Sequence, residues 1–313
     1  MPTKIEWCAR PGTTPESWNP VTGCDMDGKR VCISPGCDHC WAERMARRLA
    51  GRFGYPQQPH HFDVTLHPER LEGPLHWRKP RTVFVCSMGD LFHSEVEHQY
   101  RAWIFDLMAD MRLEQHTFLL LTKRPKNIHD WEWWMGECWP GDSPWNVVTE
   151  ALGRWPENIW LGVTVENQEA ADERIPILLQ TPAVMRFVSC EPLLEPVDLF
   201  DVDGKIAQSM PERSMLFPAD LIDWVIVGGE SGPGARPMHP DWVRSIRDQC
   251  RAAGVPFLLK KRGKWQHSSQ VDFWPYVKGG RLYEWPDGTV SVAKHKRQTG
   301  WELDCREWNE WPG

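Results

Sequence analysis

Three cysteines, Cys24, Cys37 and Cys40, fall within the stretch SWNPVTGCDMDGKRVCISPGCDHCWAERM, from Ser17 to Met45. Three thiolates can hold an iron–sulfur cluster while leaving one iron open to a small ligand, whereas a closed structural site takes a fourth protein ligand. Cys37 and Cys40 form a CxxC, and the second of them opens an amphipathic helical pattern. A helix N-terminus carries partial positive charge, which stabilises the thiolate form that binds metal. Cys32 lies in the same stretch, and with it the set becomes a closed four-cysteine site for zinc or iron. His39 is a further donor in type, though it is expected to face solvent. No second CxxC is present to complete a zinc ribbon.

Other chemistry-bearing residues sit where apolar runs end. Asp90 follows TVFVCSMG, Lys123 and Arg124 end TFLLLTKRP, and Glu166 ends IWLGVTVEN. Glu191 ends MRFVSCEPL, Glu230 ends WVIVGGESG, and Lys260 and Lys261 end VPFLLKKRG. Lys123, Glu191 and Lys260 are the candidate catalytic groups. Asp90, Glu166, Gly228, Gly229 and Glu230 are the candidate cofactor contacts, because carboxylates bind amines and sugar hydroxyls and glycines admit close backbone approach. Each has a structural alternative: Asp90 capping a helix, Lys123 or Arg124 paired with Glu166 or Glu191, the glycines simply ending a strand. Cys86 and Cys190 lie inside apolar runs and are expected to be inert buried thiols. Cys8, Cys138, Cys250 and Cys305 show no ligand spacing. No Ser–His–Asp arrangement, Walker loop or dinucleotide fingerprint is present.

The elements that must position these residues follow from the runs themselves. FDVTL (62–66) and the six runs above fit short buried parallel strands. A strand near Glu16 to Asn19 brings the count to eight. Helical patterns separate them: HCWAERMARRLAGRF, HQYRAWIFDLMADMR, NQEAADERIPILLQ and HPDWVRSIRDQCRAAG. Alternating strand and helix means βαβ units. Eight of them predict a (β/α)8 barrel of TIM type, with an open doubly wound sheet as the alternative. In such a barrel the C-terminal strand ends form the active-site face, so the polar residues are expected to ring one pocket. The barrel would span 1–264, with irregular insertions at 130–155 and 200–220. Residues 265–313 form a Trp-rich extension packed on the barrel, with a hairpin of Tyr283–Trp285 and Thr289–Val292 around the turn PDG.

The net charge of −7 excludes broad, nonspecific coating of DNA but leaves room for a local basic groove. LKKRGKW, Leu259 to Trp265, is the most basic run and is expected to be an exposed loop or a guide for phosphates. The 20 tryptophans suit either packing or a stacking surface for flat ligands. No apolar stretch approaches the length of a membrane span. The N-terminal MPTKIEWCARPG has no apolar signal region, so a cytoplasmic protein is expected, with its cysteines as thiols or metal ligands.

Taken together, NPVTGC, SPGCDHCWAERM, SMGDLFH, LLLTKRP, LGVTVEN, FVSCEPLL, VIVGGESGPGARPM and LDCREW resemble the phage three-cysteine-motif proteins, from about Ser17 to Trp308. That family is similar to radical S-adenosylmethionine enzymes, including the spore photoproduct lyase branch. The resemblance implies a [4Fe–4S] cluster on Cys24, Cys37 and Cys40, with S-adenosylmethionine chelating the unique iron. It implies electron transfer that releases a 5′-deoxyadenosyl radical to abstract hydrogen. A nucleic acid or nucleotide is the implied substrate, and an electron donor the implied partner. The chain departs from the pattern in spacing. Radical enzymes use CxxxCxxC, whereas twelve residues separate Cys24 from Cys37, and DMDGKR looks like an insertion. Cys32, Cys37 and Cys40 give the alternative Cx4CxxC; Cys24 is favoured because it sits in NPVTGC. The GGE of radical enzymes follows an early strand, and Gly228 to Glu230 follow a late one, so they are not carried over as the same site. Two other functions stay open. One is a non-enzymatic binding protein stabilised by zinc or iron on four cysteines. The other is a metal-free thiol redox role for the CxxC.

Overall fold

The computed structural model describes residues 3–199, 222–270, 281–294 and 300–313. The segment TPESW forms strand β1 (Thr14–Trp18), and runs rich in Val, Ile, Leu and Phe become strands β2 (Arg81–Val85), β3 (Thr117–Thr122), β4 (Ile159–Thr164), β5 (Met185–Cys190), β6 (Trp224–Gly228) and β7 (Phe257–Lys261). They lie in that order in one seven-stranded sheet. β4 and β6 are buried at every position, the continuous pattern of strands covered on both faces.

The expected eight-stranded (β/α)8 barrel does not form: the sheet is open, with β1 and β7 as its edges. The missing strand is FDVTL. Thr65–Leu66 pairs antiparallel to Val21–Thr22, and Asp63 makes one isolated parallel bridge to Asp25. The rest of that segment spends its hydrogen bonds on the cysteine loop. The Phe62 carbonyl accepts from the Cys24 and Asp25 N–H groups, and the Asp63 carboxylate accepts from the Gly28 N–H at 2.9 and 3.0 Å. A backbone committed this way has few groups left for a sheet ladder.

The chain divides into two compact units. The first comprises Met1–Ile33, Cys40–Val163 and Ile177–Arg186; the second comprises Ser34–His39, Thr164–Pro176 and Phe187–Gly313. In the first unit β1 to β4 pair in parallel. Its helices are α1 (Trp41–Leu49), α2 (His98–Ala109), α3 (Lys126–Cys138) and α4 (Pro144–Leu152). Most of the 130–155 segment, expected to be irregular, is therefore helical. Ser143 caps α4 by accepting from the Asn146 N–H, Pro144 opens it, and Gly153 ends it in the left-handed conformation. Trp131, Trp145 and Trp155 pack on Phe105 with ring centroids 4.1, 4.9 and 5.4 Å away.

In the second unit β5, β6 and β7 pair in parallel. Helix α5 (Gln168–Gln180), whose residues up to Pro176 belong to this unit, follows β4, and α6 (Pro240–Ala253) follows β6. The tail forms a separate antiparallel sheet of β8 (Trp265–His267), β9 (Leu282–Glu284) and β10 (Val290–Ala293), ordered β8-β10-β9. The expected hairpin is its β9–β10 pair. The expected insertion at 200–220 lies outside the described residues. Among the described residues no helix is long and apolar enough to cross a membrane.

Candidate metal and cofactor site

The ten cysteines are all free thiols, and they sort by exposure. Cys8, Cys86, Cys190 and Cys250 are buried, and Cys32, Cys138 and Cys305 are exposed. Only Cys24, Cys37 and Cys40 are half-buried. Burial pushes the Cys86 and Cys250 thiols up to about 12 and Cys190 well above its ordinary value. These thiols stay protonated, and for Cys86 and Cys190 burial is what the sequence led one to expect.

Cys24 and Cys40 belong to the first unit and pack against one buried cluster, Ala46, Tyr55, Phe62 and Met88. Cys40 is the N-cap of α1, its Sγ accepting from the Glu43 N–H at 3.5 Å. Glu43 beside it is buried. Burial alone would raise its carboxyl, but hydrogen bonds from His61 and Arg47 outweigh that and leave it below its ordinary value. Cys32 is exposed, with its Sγ accepting from Arg30 Nε at 3.1 Å.

Cys37 belongs to the second unit, in the single turn Pro35–Cys37. Ser34 Oγ lies 3.7 Å from Cys37 Sγ and donates to Glu166 Oε1 at 2.7 Å. Glu166 has no solvent exposure, and its other oxygen accepts from Arg174 Nη1 at 2.9 Å. On the far side of the turn His39 does not simply face solvent: its Nδ1 lies 3.0 Å from Glu230 Oε2. Arg236 grips the same carboxylate, Nη2 donating to Oε1 at 2.7 Å and its backbone N–H to Oε2 at 2.7 Å. Burial works against ionisation of Glu230, but the bonds from Arg236 and His39 outweigh it and hold the carboxyl below its ordinary value.

The remaining candidates have partners within the chain. In the first unit Asp90 is buried and accepts from Thr122 Oγ1 at 2.8 Å, the Lys123 N–H at 3.0 Å and the Phe92 N–H at 3.0 Å. It ties β3 to the turn after β2, which is more than the local helix cap that was the alternative to its reading as a cofactor contact. In the second unit Lys260 Nζ donates to Glu191 Oε1 at 2.5 Å. A Cβ on Gly228 would meet that Glu191 side chain at 3.2 Å, and one on Gly229 would sit 2.3 Å from the Arg262 carbonyl oxygen. The Gly228 and Gly229 requirement thus comes from close packing of the chain on itself. LKKRGKW is not a freely solvated loop: Lys260 and Lys261 lie in β7, Arg262 is half-buried and Gly263 is buried. The candidates therefore fall into two sets, Asp90 and Lys123 in the first unit and Glu166, Glu191, Gly228, Gly229, Glu230 and Lys260 in the second. Sequence reasoning missed Ser34, Arg174 and Arg236. Arg236 stood inside the conspicuous GGESGPGAR run, six residues after Glu230. Arg174 carried no comparable signal.

Among the described residues no group of three or more His, Cys, Asp or Glu side chains is drawn together to hold a metal ion. In donor chemistry Cys24, Cys37 and Cys40 suit a cluster: all are free thiols, partly accessible, and one caps a helix N-terminus. No curated protein and no solved structure gives a significant match to the chain. The model of one protein family, described as a protein of unknown function (DUF5131), matches residues 2–312, and the chain belongs to that family.

Proposed function

We propose that this protein is an iron–sulfur enzyme of the radical S-adenosylmethionine type, with Cys24, Cys37 and Cys40 as ligands of a [4Fe–4S] cluster and a nucleic acid or nucleotide as substrate. One observation carries the reading. Of ten thiols, the half-buried ones are the three that the motif singles out, while the others are buried or exposed. A ligand needs this intermediate state, shielded on one side and reachable on the other. The exposed Cys32, engaged by Arg30, is left outside the set, which favours an open iron over a closed four-cysteine site.

The cluster and S-adenosylmethionine would supply one-electron chemistry that amino-acid side chains lack, fed by an external electron donor. The chain's part is to hold and orient. Cys40 lies at the positive end of α1, which favours its thiolate. The buried wall of Ala46, Tyr55, Phe62 and Met88 keeps water from one side of Cys24 and Cys40. The substrate class is supported by α1 and the turn after it. Their outward side carries Arg44, Arg47, Arg48 and Arg52 with the exposed aromatics Trp41 (51%) and Phe53 (75%). Guanidinium groups beside flat rings suit phosphates and bases.

Metal content and EPR on anaerobically purified protein test the reading. Four irons per chain are expected, with a reduced-cluster signal that shifts when S-adenosylmethionine is added. C24S, C37S and C40S should each lose the cluster, and C32S should keep it. One tightly held zinc, or loss of metal in C32S, would favour the non-enzymatic binding protein instead.

A further inference from the structure

We infer that the turn after β6 is a built cradle in which Glu230, Gly234 and Arg236 hold the segment Ser34–His39 and so set the place of Cys37 before any metal binds. All of these residues belong to the second unit. The cradle is itself anchored. Gly229 lies so close to the Arg262 carbonyl that a Cβ there would sit 2.3 Å from it. The Lys264 N–H donates to the Glu230 carbonyl at 2.9 Å, and Trp265 Nε1 donates to the Ala235 carbonyl at 2.7 Å. Both ends of the turn are thus tied to the chain that leaves β7.

The cysteine segment meets the cradle at several points. His39 Nδ1 sits 3.0 Å from Glu230 Oε2. Arg236 Nη2 donates to the Pro35 carbonyl at 2.8 Å, and Nη1 reaches Asp38 Oδ2 at 3.3 Å. Gly234 has φ +77° and lies beneath the imidazole, where a Cβ would stand 2.8 Å from His39 Nε2. The missing side chain at 234 is what lets His39 reach Glu230. At the other end of the segment Ser34 bonds Glu166, which Arg174 fixes in turn. Cys37 lies between two anchored points. The bonds are charge-assisted, and the planar guanidinium gives them direction.

This assigns Glu230 as a positioning residue. Arg236 and His39 already engage its two oxygens, so it acts on Cys37 through the segment it holds. The holding stands apart from the iron reading; its use in placing a metal ligand rests on that reading.

The test uses full-length, metal-free, reduced protein. It is alkylated with iodoacetamide and each cysteine is followed by mass spectrometry. Cys37 should react about tenfold faster in G234V and R236A than in the wild type, the effect of losing one strong hydrogen bond. R236K should resemble R236A, because an ammonium cannot span both carboxylate oxygens and the Pro35 carbonyl. Cys138 and Cys305 should be unchanged, and Cys86, Cys190 and Cys250 should stay protected, which marks an intact fold. If the larger changes expose those buried thiols, the near-isosteric E230Q provides the comparison, with a smaller acceleration at Cys37. Equal Cys37 rates in variants whose buried thiols stay protected would overturn the cradle. Iron content after reconstitution separates the two ideas. Faster Cys37 modification with undiminished iron keeps the cradle and shows that it is not what places a metal ligand, while iron loss in C37S decides whether Cys37 is one.

Discussion

At position 166 a carboxylate with no solvent exposure faces Arg174, whose side chain is 3% exposed. Two buried charges are tolerated because they pair with each other and the Ser34 hydroxyl and the Thr164 carbonyl add hydrogen bonds, although the buried Arg174 Nε has no partner. The sequence marked Glu166 as the end of a strand. It could not mark Arg174, eight residues on and inside a helix, as its partner. Histidine 267 is a second case in which environment, not type, decides behaviour. Burial, and then the neighbouring His239, lower its pKa to about 4, with Arg244 adding to this and Asp287 and Asp241 opposing it. Its ring nitrogens meet Ser269 Oγ at 2.9 Å and Thr289 Oγ1 at 2.8 Å. The unfolded chain takes this proton near pH 6.5 and the folded chain near 4, so the unfolded state binds more protons between those values. Stability should therefore fall as pH drops from about 6.5 to about 4, by up to about 3 kcal/mol. Thermal unfolding of wild type and H267Q across that range checks it. The wild type should lose more than the variant, and parallel curves would contradict the assignment.

The helices α3 and α4 show why an element can be hidden in plain composition. Trp131, Trp145 and Trp155 are buried, but Trp133 is 69% exposed. The same residue type marks both faces, so the 3.6-residue period is blurred and the segment reads as irregular. Packing settles what pattern cannot. Trp131 contacts Phe92, Phe105, Trp145 and Trp155, so it is the hub of an aromatic core. Trp131→Ala should destabilise the protein by about 3–5 kcal/mol, seen as a lower urea midpoint, whereas Trp133→Ala should shift it by less than about 0.5 kcal/mol. Similar losses at both positions would remove the distinction. FDVTL erred the other way. Its short apolar run suits a strand, yet most of its backbone bonds go to the cysteine loop. Six other strands were legible as apolar runs, and a seventh was expected near Glu16 to Asn19, where β1 lies. Closure was not legible, because a barrel requires pairing between the first and last strands, which leaves no local mark on either.

For the whole molecule, a net charge of −7 opposes any polyanion, so binding of nucleic acid has to come from a local surface. Helix α1 offers one. Its inward side carries Ala42, Met45, Ala46 and Leu49 in or against the first unit's cluster, which leaves Arg44, Arg47 and Arg48 with Trp41 on the other side. The same helix begins at Cys40, so a strand lying along it would run toward a proposed cluster ligand. Phosphate contacts predict a specific salt response. For single strands log K falls with log salt by about 0.7 per phosphate neutralised. Fluorescence anisotropy with a labelled single-stranded oligonucleotide, on metal-free protein, should show that slope. The double substitution R48E/R52E should weaken binding and flatten the slope by about one to two units. Trp41→Ala should weaken binding by about 1–3 kcal/mol through lost stacking and leave the slope alone. Charge reversal at the exposed Arg251 on α6 should change neither. An unchanged slope in R48E/R52E would take α1 out of the substrate path. Binding of an acidic peptide that responds to R48E/R52E but not to Trp41→Ala would make the face a protein contact instead. Because no cluster is needed for this measurement, the substrate class and the iron chemistry stand or fall separately.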